Sequence, residues 1–163
     1  MQRNEAAKKA RFNRILFIDS DMVLSENVLL ALSKVKSDCA FIPEQSFGRG
    51  FWAKARAFGR SMHELNTRLN AARYFRKDLF LKVGGYDEEL IVMEDVDLTY
   101  RLRKAGASFE KISELIYHNE GHLTLFKAIK KKFNYGRTLH RYIRKHRHFS
   151  KTHTKLSPIV ARV

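Results

Sequence analysis

The sequence predicts a single α/β domain followed by a basic tail. Residues 15–18 form a continuous β-branched and aromatic run, which is typical of a strand buried on both faces. Val28, Leu29, Leu32 and Val35 instead recur at i, i+1, i+4 and i+7 and are predicted to share one face of a helix. The chain has 163 residues, 44% of them hydrophobic, and this is enough for one domain with a buried core. We expect the domain to span residues 1–148 and a disordered tail to span residues 149–163.

The other elements follow from local signals. A polar helix over residues 3–10 leads into the first strand, and Ser25 is a candidate N-cap for the helix that ends near residue 37. Gly106 is the natural residue after a helix that opens at Glu94. Residues 47–52 are broken by glycine and are predicted to be a loop. The remaining predicted strands are 40–43, 71–75, 108–111 and 114–117, and the remaining helices are 51–70, 77–83, 123–134 and 141–148, with a break over 135–139.

Two carboxylates, Asp19 and Asp21, end the first strand. The carboxyl ends of strands in an open α/β sheet are where such sheets bind ligands. Two hard oxygen ligands at that edge suit Mg²⁺ or Mn²⁺ carrying a phosphate better than they suit zinc. The alternative is that the two residues only form a turn and cap the next helix.

The charge of the chain is concentrated in its last quarter. Residues 1–120 hold 20 basic and 17 acidic side chains, whereas residues 121–163 hold 12 basic and no acidic ones. The body is therefore close to neutral. The basic end predicts a phosphate-bearing partner, which is an anionic membrane surface, a nucleotide diphosphate or nucleic acid.

A second acidic cluster, Glu94-Asp95-Val96-Asp97, opens a predicted helix, and His118 follows a later strand. Together with the first acidic pair, this pattern resembles the family 2 glycosyltransferases of the GT-A fold. The resemblance runs from Arg3-Asn4 to about residue 146 and is strongest over residues 73–106. It implies a GT-A-like, Rossmann-like mixed sheet flanked by helices, with basic helices at the C-terminal end.

The resemblance also implies roles for individual residues. Asp21 is expected to hold Mn²⁺ or Mg²⁺, Asp19 to face the ribose of the nucleotide or the metal, and His118 to close the metal site, although a surface histidine is the simpler alternative. Asp95 is expected to take the proton of the acceptor hydroxyl, and Glu94 to position the acceptor. The other residues expected to bind substrate are Arg73, Gly84, Gly85 and Arg137.

The implied activity is metal-dependent, inverting transfer of a sugar from a nucleotide-diphosphate sugar to a glycan or a lipid-linked acceptor. The strands that hold the nucleotide base in this family precede the segment that begins at Arg3, and they are absent from the sequence. We therefore expect a fragment, or a partner chain that supplies that half. One alternative is a non-catalytic remnant that binds an acceptor or a partner. A nucleic-acid-binding module is less favoured, because the near-neutral body carries no recognisable RNA- or DNA-binding motif.

The expected location follows from what the sequence lacks. No apolar run approaches the roughly 18 residues needed to cross a bilayer. The first residues have no apolar segment of the signal-peptide kind. A single cysteine, Cys39, agrees with a reducing compartment. We expect a cytoplasmic protein that lies at the inner face of the membrane, held there by its basic tail.

Overall fold

A computed structural model of the chain describes residues 2–64, 71–122 and 124–145. The helices are α1 (Gln2–Lys9), α2 (Val28–Lys34), α3 (Phe51–Glu64), α4 (Lys77–Lys82), α5 (Glu94–Lys104) and α6 (Leu125–Lys145). The strands are β1 (Arg14–Leu16), β2 (Met22–Leu24), β3 (Cys39–Phe41), β4 (Glu44–Arg49), β5 (Tyr74–Arg76), β6 (Phe109–Lys111) and β7 (Ile116–His122). Helices and strands interleave along the chain, which confirms the predicted α/β class.

The described strands form two mixed sheets. The first has the order β1-β5-β3-β6, in which β5 pairs antiparallel with both β1 and β3, and β3 pairs parallel with β6. The second has the order β2-β7-β4, in which β7 pairs antiparallel with β2 and parallel with β4. Only residues 17–21 separate β1 from β2, so this short segment passes from one sheet to the other.

An aromatic cluster fills the core of the first sheet. The rings of Phe17, Phe75 and Phe80 lie with their centroids 5.4 to 5.9 Å apart, and Tyr86 meets Phe17 edge-on at 5.4 Å. Tilted and edge-on pairs of this kind add about 0.5–1.5 kcal/mol each beyond the burial of their area. The same core includes Ala7, Ile15, Cys39, Leu98 and Leu102. It therefore joins α1 and α5 to the first sheet.

A second core lies between α2 and the second sheet. Val28, Leu32 and Val35 are buried there, as their helical spacing predicts, and they pack with Met22 and Ile116. The prediction is wrong for Leu29, which is 63% exposed because it points away from that face. This core also includes Ala40 of β3 and Tyr74 of β5, so α2 packs against strands of both sheets.

Several predicted boundaries are wrong for identifiable reasons. The first strand ends at Leu16 rather than at residue 18, and Ile18 is 38% exposed because the chain leaves the first sheet there. Ser25 does not cap α2. Its hydroxyl oxygen accepts a hydrogen bond from the Leu115 N–H at 3.2 Å, and the helix begins only after Asn27. The predicted strand 71–75 lies three residues further on, as β5.

The predicted loop over residues 47–52 is also wrong, because strand β4 runs through Gly48. A Cβ at this position would lie 2.8 Å from the Ala53 Cβ and 3.0 Å from the Gly121 carbonyl oxygen. Gly48 is therefore needed where β4 passes close to both α3 and β7, and it does not end the strand.

The predicted break over residues 135–139 is absent, since α6 continues through Gly136. A glycine inside a helix costs about 1 kcal/mol relative to alanine, and burial of Tyr142 in the second half of α6 offsets this cost. The end of the predicted helix 51–70, at residues 65–70, and the predicted tail, 149–163, lie outside the described residues.

Two further findings bear on the expected surroundings of the protein. Within the described residues, no helix combines the length and apolar character that crossing a bilayer requires. Cys39 is fully buried, and burial raises the pKa of its thiol to about 12. The thiol therefore stays protonated and unreactive at neutral pH.

Candidate active site

The first acidic pair lies in the connection between the two sheets. The Asp19 carbonyl oxygen accepts a hydrogen bond from the Met22 N–H at 3.0 Å, which closes a turn. The Asp21 carbonyl oxygen accepts one from the Asn119 N–H at 2.8 Å, which ties the segment to β7. The predicted turn therefore exists. It also holds the two carboxylates beside different parts of the fold.

Asp21 and His118 lie side by side, as the sequence predicts. His118 pairs with Met22 on one side and with Ser46 on the other, so its side chain lies in the middle of the second sheet. Its Nε2 is 3.1 Å from Asp21 Oδ2, and its Nδ1 is 3.7 Å from Glu44 Oε2. The Asp21 side chain is 52% exposed and that of His118 only 13%. We call these two residues the Asp21–His118 pair.

The Asp21–His118 pair has the donor types and spacing that a Mn²⁺ or Mg²⁺ site requires. In octahedral coordination with bonds of about 2.1 Å, two neighbouring ligand atoms lie about 3.0 Å apart. The distance of 3.1 Å between Nε2 and Oδ2 is that of a hydrogen bond, and a cation that took both atoms as ligands would replace this bond with little change in their spacing. Among the described residues, no group of three or more His, Cys, Asp or Glu side chains converges at metal-binding distance.

Asp19 lies among arginines instead of beside this pair. The Arg3 guanidinium bonds to Asp19 Oδ1, and Arg73 Nη1 is 3.3 Å from Asp19 Oδ2. Arg73 is itself buried, and its Nε donates to Glu44 Oε1 at 2.5 Å. Both oxygens of Asp19 are therefore engaged by cations. Asp19 does not join Asp21 and His118 as a metal ligand in this arrangement.

The second acidic pair meets the same arginine. Glu94 and Asp95 begin α5, and Arg3 Nη1 lies 3.9 Å from Glu94 Oε1 and 3.6 Å from Asp95 Oδ1. We call Arg3, Asp19, Arg73, Glu94 and Asp95 the arginine cluster. Glu44 connects it to the Asp21–His118 pair, because its carboxylate contacts both Arg73 and His118. One continuous polar network thus joins the proposed base to the proposed metal ligands.

Burial makes both carboxylates of the second acidic pair more basic. The pKa of Asp95 is raised by burial, against the opposing effect of the charges of Arg73 and Arg3. The pKa of Glu94 is raised by burial and then by the charge of Asp95. A carboxylate with a raised pKa accepts a proton more readily, which is what a general base needs.

The residue before this pair carries backbone strain. Met93 is the N-cap of α5 and has φ 65° and ψ 15°, in the left-handed region, and its side chain makes no capping hydrogen bond. Left-handed geometry is costly for a non-glycine residue, and such strain concentrates at functional sites. The strained turn fixes the direction in which Glu94 and Asp95 leave the helix N-terminus.

The Gly84-Gly85 turn is held against α1 and α5. Asn4 donates to the Tyr86 carbonyl oxygen at 2.8 Å and accepts from the Tyr86 N–H at 2.8 Å. A Cβ on Gly85, which has φ 66°, would lie 2.5 Å from Asn4 Oδ1. Gly85 is buried under Asn4 and Gly84 is exposed. Of the two glycines predicted to bind substrate, Gly84 is thus the one with an open surface.

Other candidates lie elsewhere. Asp97 is fully buried, and Arg101 Nε donates to its carboxylate at 2.7 Å. Arg137 lies within α6, but its side chain is outside the described part of the chain. The side chain of His122, at the end of β7, is also outside the described part.

Two charged residues near the site carry no clear signal in the sequence. Arg3 lies 16 residues from Asp19 and bridges to α5, and no local pattern predicts such a contact. Glu120 is 5% exposed at its side chain and bonds to Arg56 at 2.9 Å. It lies two residues from His118 on β7 and so on the same face of the sheet. Strand alternation from His118 would have identified Glu120.

Comparison with protein-family models and with curated protein sequences finds no match for this chain.

Proposed function

We propose that this chain is the catalytic and acceptor-binding portion of a metal-dependent, inverting glycosyltransferase. The reaction would move a sugar from a nucleotide-diphosphate sugar to a glycan or lipid-linked acceptor. The observation that carries the proposal is the network that links Asp95, through the arginine cluster and Glu44, to the Asp21–His118 pair. A cation-binding pair and a basic carboxylate on one network are what sugar transfer from a diphosphate donor requires.

Asp95 is the proposed base. The acceptor hydroxyl oxygen attacks the anomeric carbon, its proton passes to the Asp95 carboxylate, and the bond from the anomeric carbon to the diphosphate oxygen breaks. The electron pair of that bond leaves with the diphosphate. The raised pKa of Asp95 favours the proton transfer, and the charges of Arg73 and Arg3 oppose that rise and so favour the ionised carboxylate. Glu94, one residue away, is positioned to hold the acceptor.

The Asp21–His118 pair is proposed to hold the cation. A bound Mn²⁺ or Mg²⁺ supplies electrostatic stabilisation of the departing diphosphate. The partial exposure of Asp21 leaves the pair open to a ligand from solvent, whereas His118 is fixed in its strand. Asp19, which is paired with Arg3 and Arg73, is proposed to face the nucleotide ribose and not the cation.

The same proposal covers the fold family and the cellular location of the protein. The two mixed sheets are compatible with a GT-A-like domain of family 2, and a partner chain or a further segment would contribute the strands that hold the nucleotide base. The proposed location is the cytoplasmic face of a membrane, with anionic lipid as a contact. Nucleic acid is not an expected partner.

Calorimetric titration of UDP, and then of GDP, with and without Mn²⁺, tests the donor site. We expect Mn²⁺-dependent binding of one nucleotide in the wild-type chain and its loss in Asp21→Ala. Glu89→Ala, an exposed carboxylate away from the network, is the matched control and should bind normally. If neither nucleotide binds, the chain is a fragment or non-catalytic remnant that binds an acceptor or a partner, and the proposal fails for this chain alone.

A further inference from the structure

Helix α6 uses one of its faces to pack on the body of the protein. Tyr142 is 6% exposed and packs with Leu90 and Val96, and Leu139 adds a partly buried contact. Lys145 Nζ lies 3.2 Å from the buried carboxylate of Asp97 and also bonds to Asp87. These contacts fix the rotation of α6 about its own axis.

The opposite face of α6 is exposed and apolar in its first half. Phe126, Ile129 and Phe133 are 76%, 56% and 66% exposed. At 3.6 residues per turn, Phe126 lies about 160° around the helix from Tyr142, and Ile129 and Phe133 flank Phe126 within about 60°. Three large apolar side chains side by side on a solvent-facing stripe mark an interaction surface.

The charge of α6 identifies the kind of partner. Its 21 residues include eight basic side chains and no acidic one. Of these, Lys130 and Arg144 are exposed and lie within about 40° of Phe126 around the helix. A second copy of this helix would bring like charges face to face, which disfavours self-association through this surface. A partner with a continuous negative charge and an apolar interior would pair with the cations and bury the apolar side chains.

We infer that α6 is an interfacial helix that binds the surface of an anionic lipid bilayer. Phe126, Ile129 and Phe133 enter the boundary between headgroups and acyl chains, and Lys130 and Arg144 contact lipid phosphates. Leu139 of this helix and Met93, which precedes the second acidic pair, both pack against the cluster of Leu90, Val96 and Tyr142. Membrane binding would therefore hold the second acidic pair near the bilayer. The inference stands on α6 alone and does not depend on sugar transfer.

Flotation with vesicles tests the inference. We expect the wild-type chain to float with vesicles of phosphatidylethanolamine and phosphatidylglycerol and to remain behind with vesicles of phosphatidylcholine alone. The triple variant Phe126→Gln, Ile129→Gln, Phe133→Gln should bind the anionic vesicles about a hundredfold more weakly, because three apolar side chains no longer enter the bilayer. Lys130→Gln and Arg144→Gln should each weaken binding about fivefold, and added salt should reduce the difference.

A matched control changes two exposed leucines on another helix. Leu29 and Leu30 of α2 are 63% and 56% exposed, and Leu29→Gln with Leu30→Gln should leave vesicle binding unchanged. Circular dichroism checks that both variants fold. Three results would overturn the inference: no binding of the wild-type chain to anionic vesicles, equal binding by the triple variant and the control, or light scattering in which the wild type is a dimer and the triple variant a monomer. Nucleotide binding, measured separately, reports on the proposed function and not on this helix.

Discussion

Asp19 and Asp21 are one residue apart and lie in contrasting surroundings. Asp19 is held between the guanidiniums of Arg3 and Arg73, with its negative charge compensated. Asp21 is half exposed and lies beside the imidazole of His118. The difference arises because the chain passes from the first sheet to the second over residues 17–21. Asp19 contacts Arg3 and Arg73, whereas Asp21 contacts His118 of the second sheet. An Asp-x-Asp motif thus need not act as one chelating unit.

The same contrast separates the two ends of the polar network. At the arginine cluster, burial raises the pKa of Asp95 and Glu94, and cations oppose that effect. At the Asp21–His118 pair, an exposed carboxylate and a fixed imidazole lie open to a ligand. Under the proposed function, the first end would accept a proton and the second would hold a cation. The following substitutions test that division, in order of decreasing effect.

Asp95→Asn should have the largest effect. We expect the transfer rate to fall by about 10²–10⁴-fold, because the amide cannot accept the acceptor proton. Nucleotide affinity should remain near the wild-type value, since the cation end is unchanged. Initial-rate measurements report the transfer rate, and calorimetric titration reports the nucleotide affinity. Equal loss of rate and of nucleotide affinity would mean that the two ends do not have separate tasks.

Asn4→Ala should destabilise the fold without a specific effect on either end. The substitution leaves the Tyr86 N–H and carbonyl oxygen unpaired in a buried site. We expect a loss of about 2–3 kcal/mol, or a fall in Tm of about 5–10 °C, in thermal unfolding followed by circular dichroism. Glu5→Ala, on the exposed side of α1, should change Tm little. Similar Tm values for both variants would contradict the buried role of Asn4.

Arg3→Gln should alter the pH dependence of transfer. The charge of Arg3 lowers the pKa of Asp95, so its removal raises that pKa further. Since the base must be ionised, the acidic limb of the kcat/KM profile should move to higher pH, with a several-fold loss of rate on that limb. Lys9→Gln, which removes an exposed charge from the same helix, should leave the limb in place. If the acidic limb does not move in Arg3→Gln, the charge of Arg3 does not influence the pKa of Asp95.

Glu94→Gln should have the smallest effect, a gain in stability. The pKa of Glu94 is raised in the folded state, so the folded protein binds its proton more tightly than the unfolded chain does. The stability of the wild type therefore declines as pH rises through this raised pKa, and the ionised carboxylate is a cost at neutral pH. We expect Tm to rise by about 1–3 °C at neutral pH and to stay unchanged at acidic pH. A lower Tm at neutral pH would show that the pair with Arg3 dominates.

The sequence was informative where a local rule governs the structure. Helix α1, and helix α5 with its acidic first turn and with Gly106 after its end, follow from polarity, charge and glycine conformation. The contact of Asp21 with His118 was also expected, from the resemblance to a family and not from any local rule. Such a contact joins residues 97 positions apart, which only the pairing of β2 with β7 brings together.

The sequence misled where tertiary packing overrides a local rule. The glycine rule predicts a loop at Gly48, but close packing of β4 against α3 and β7 requires this glycine within a strand. The apolar run predicts a buried Ile18, which is exposed because the chain changes sheets after Leu16. The place of Arg3 between two acidic pairs depends on how α1 lies over both sheet and helix. Single-sequence patterns carry no record of that arrangement.

The division between Asp19 and Asp21 is tested most directly by titration with Mn²⁺ in the presence of UDP. Binding is measured as the loss of the free-ion signal in electron paramagnetic resonance. We expect Asp21→Asn and His118→Gln to weaken Mn²⁺ binding by about 10–100-fold, the usual cost of damaging a metal site. Asp19→Asn should keep the Mn²⁺ affinity within about threefold of wild type, an expectation that follows from its engagement by two guanidiniums. Equal loss in Asp19→Asn and Asp21→Asn, or no Mn²⁺ binding by the wild-type chain, would contradict the account.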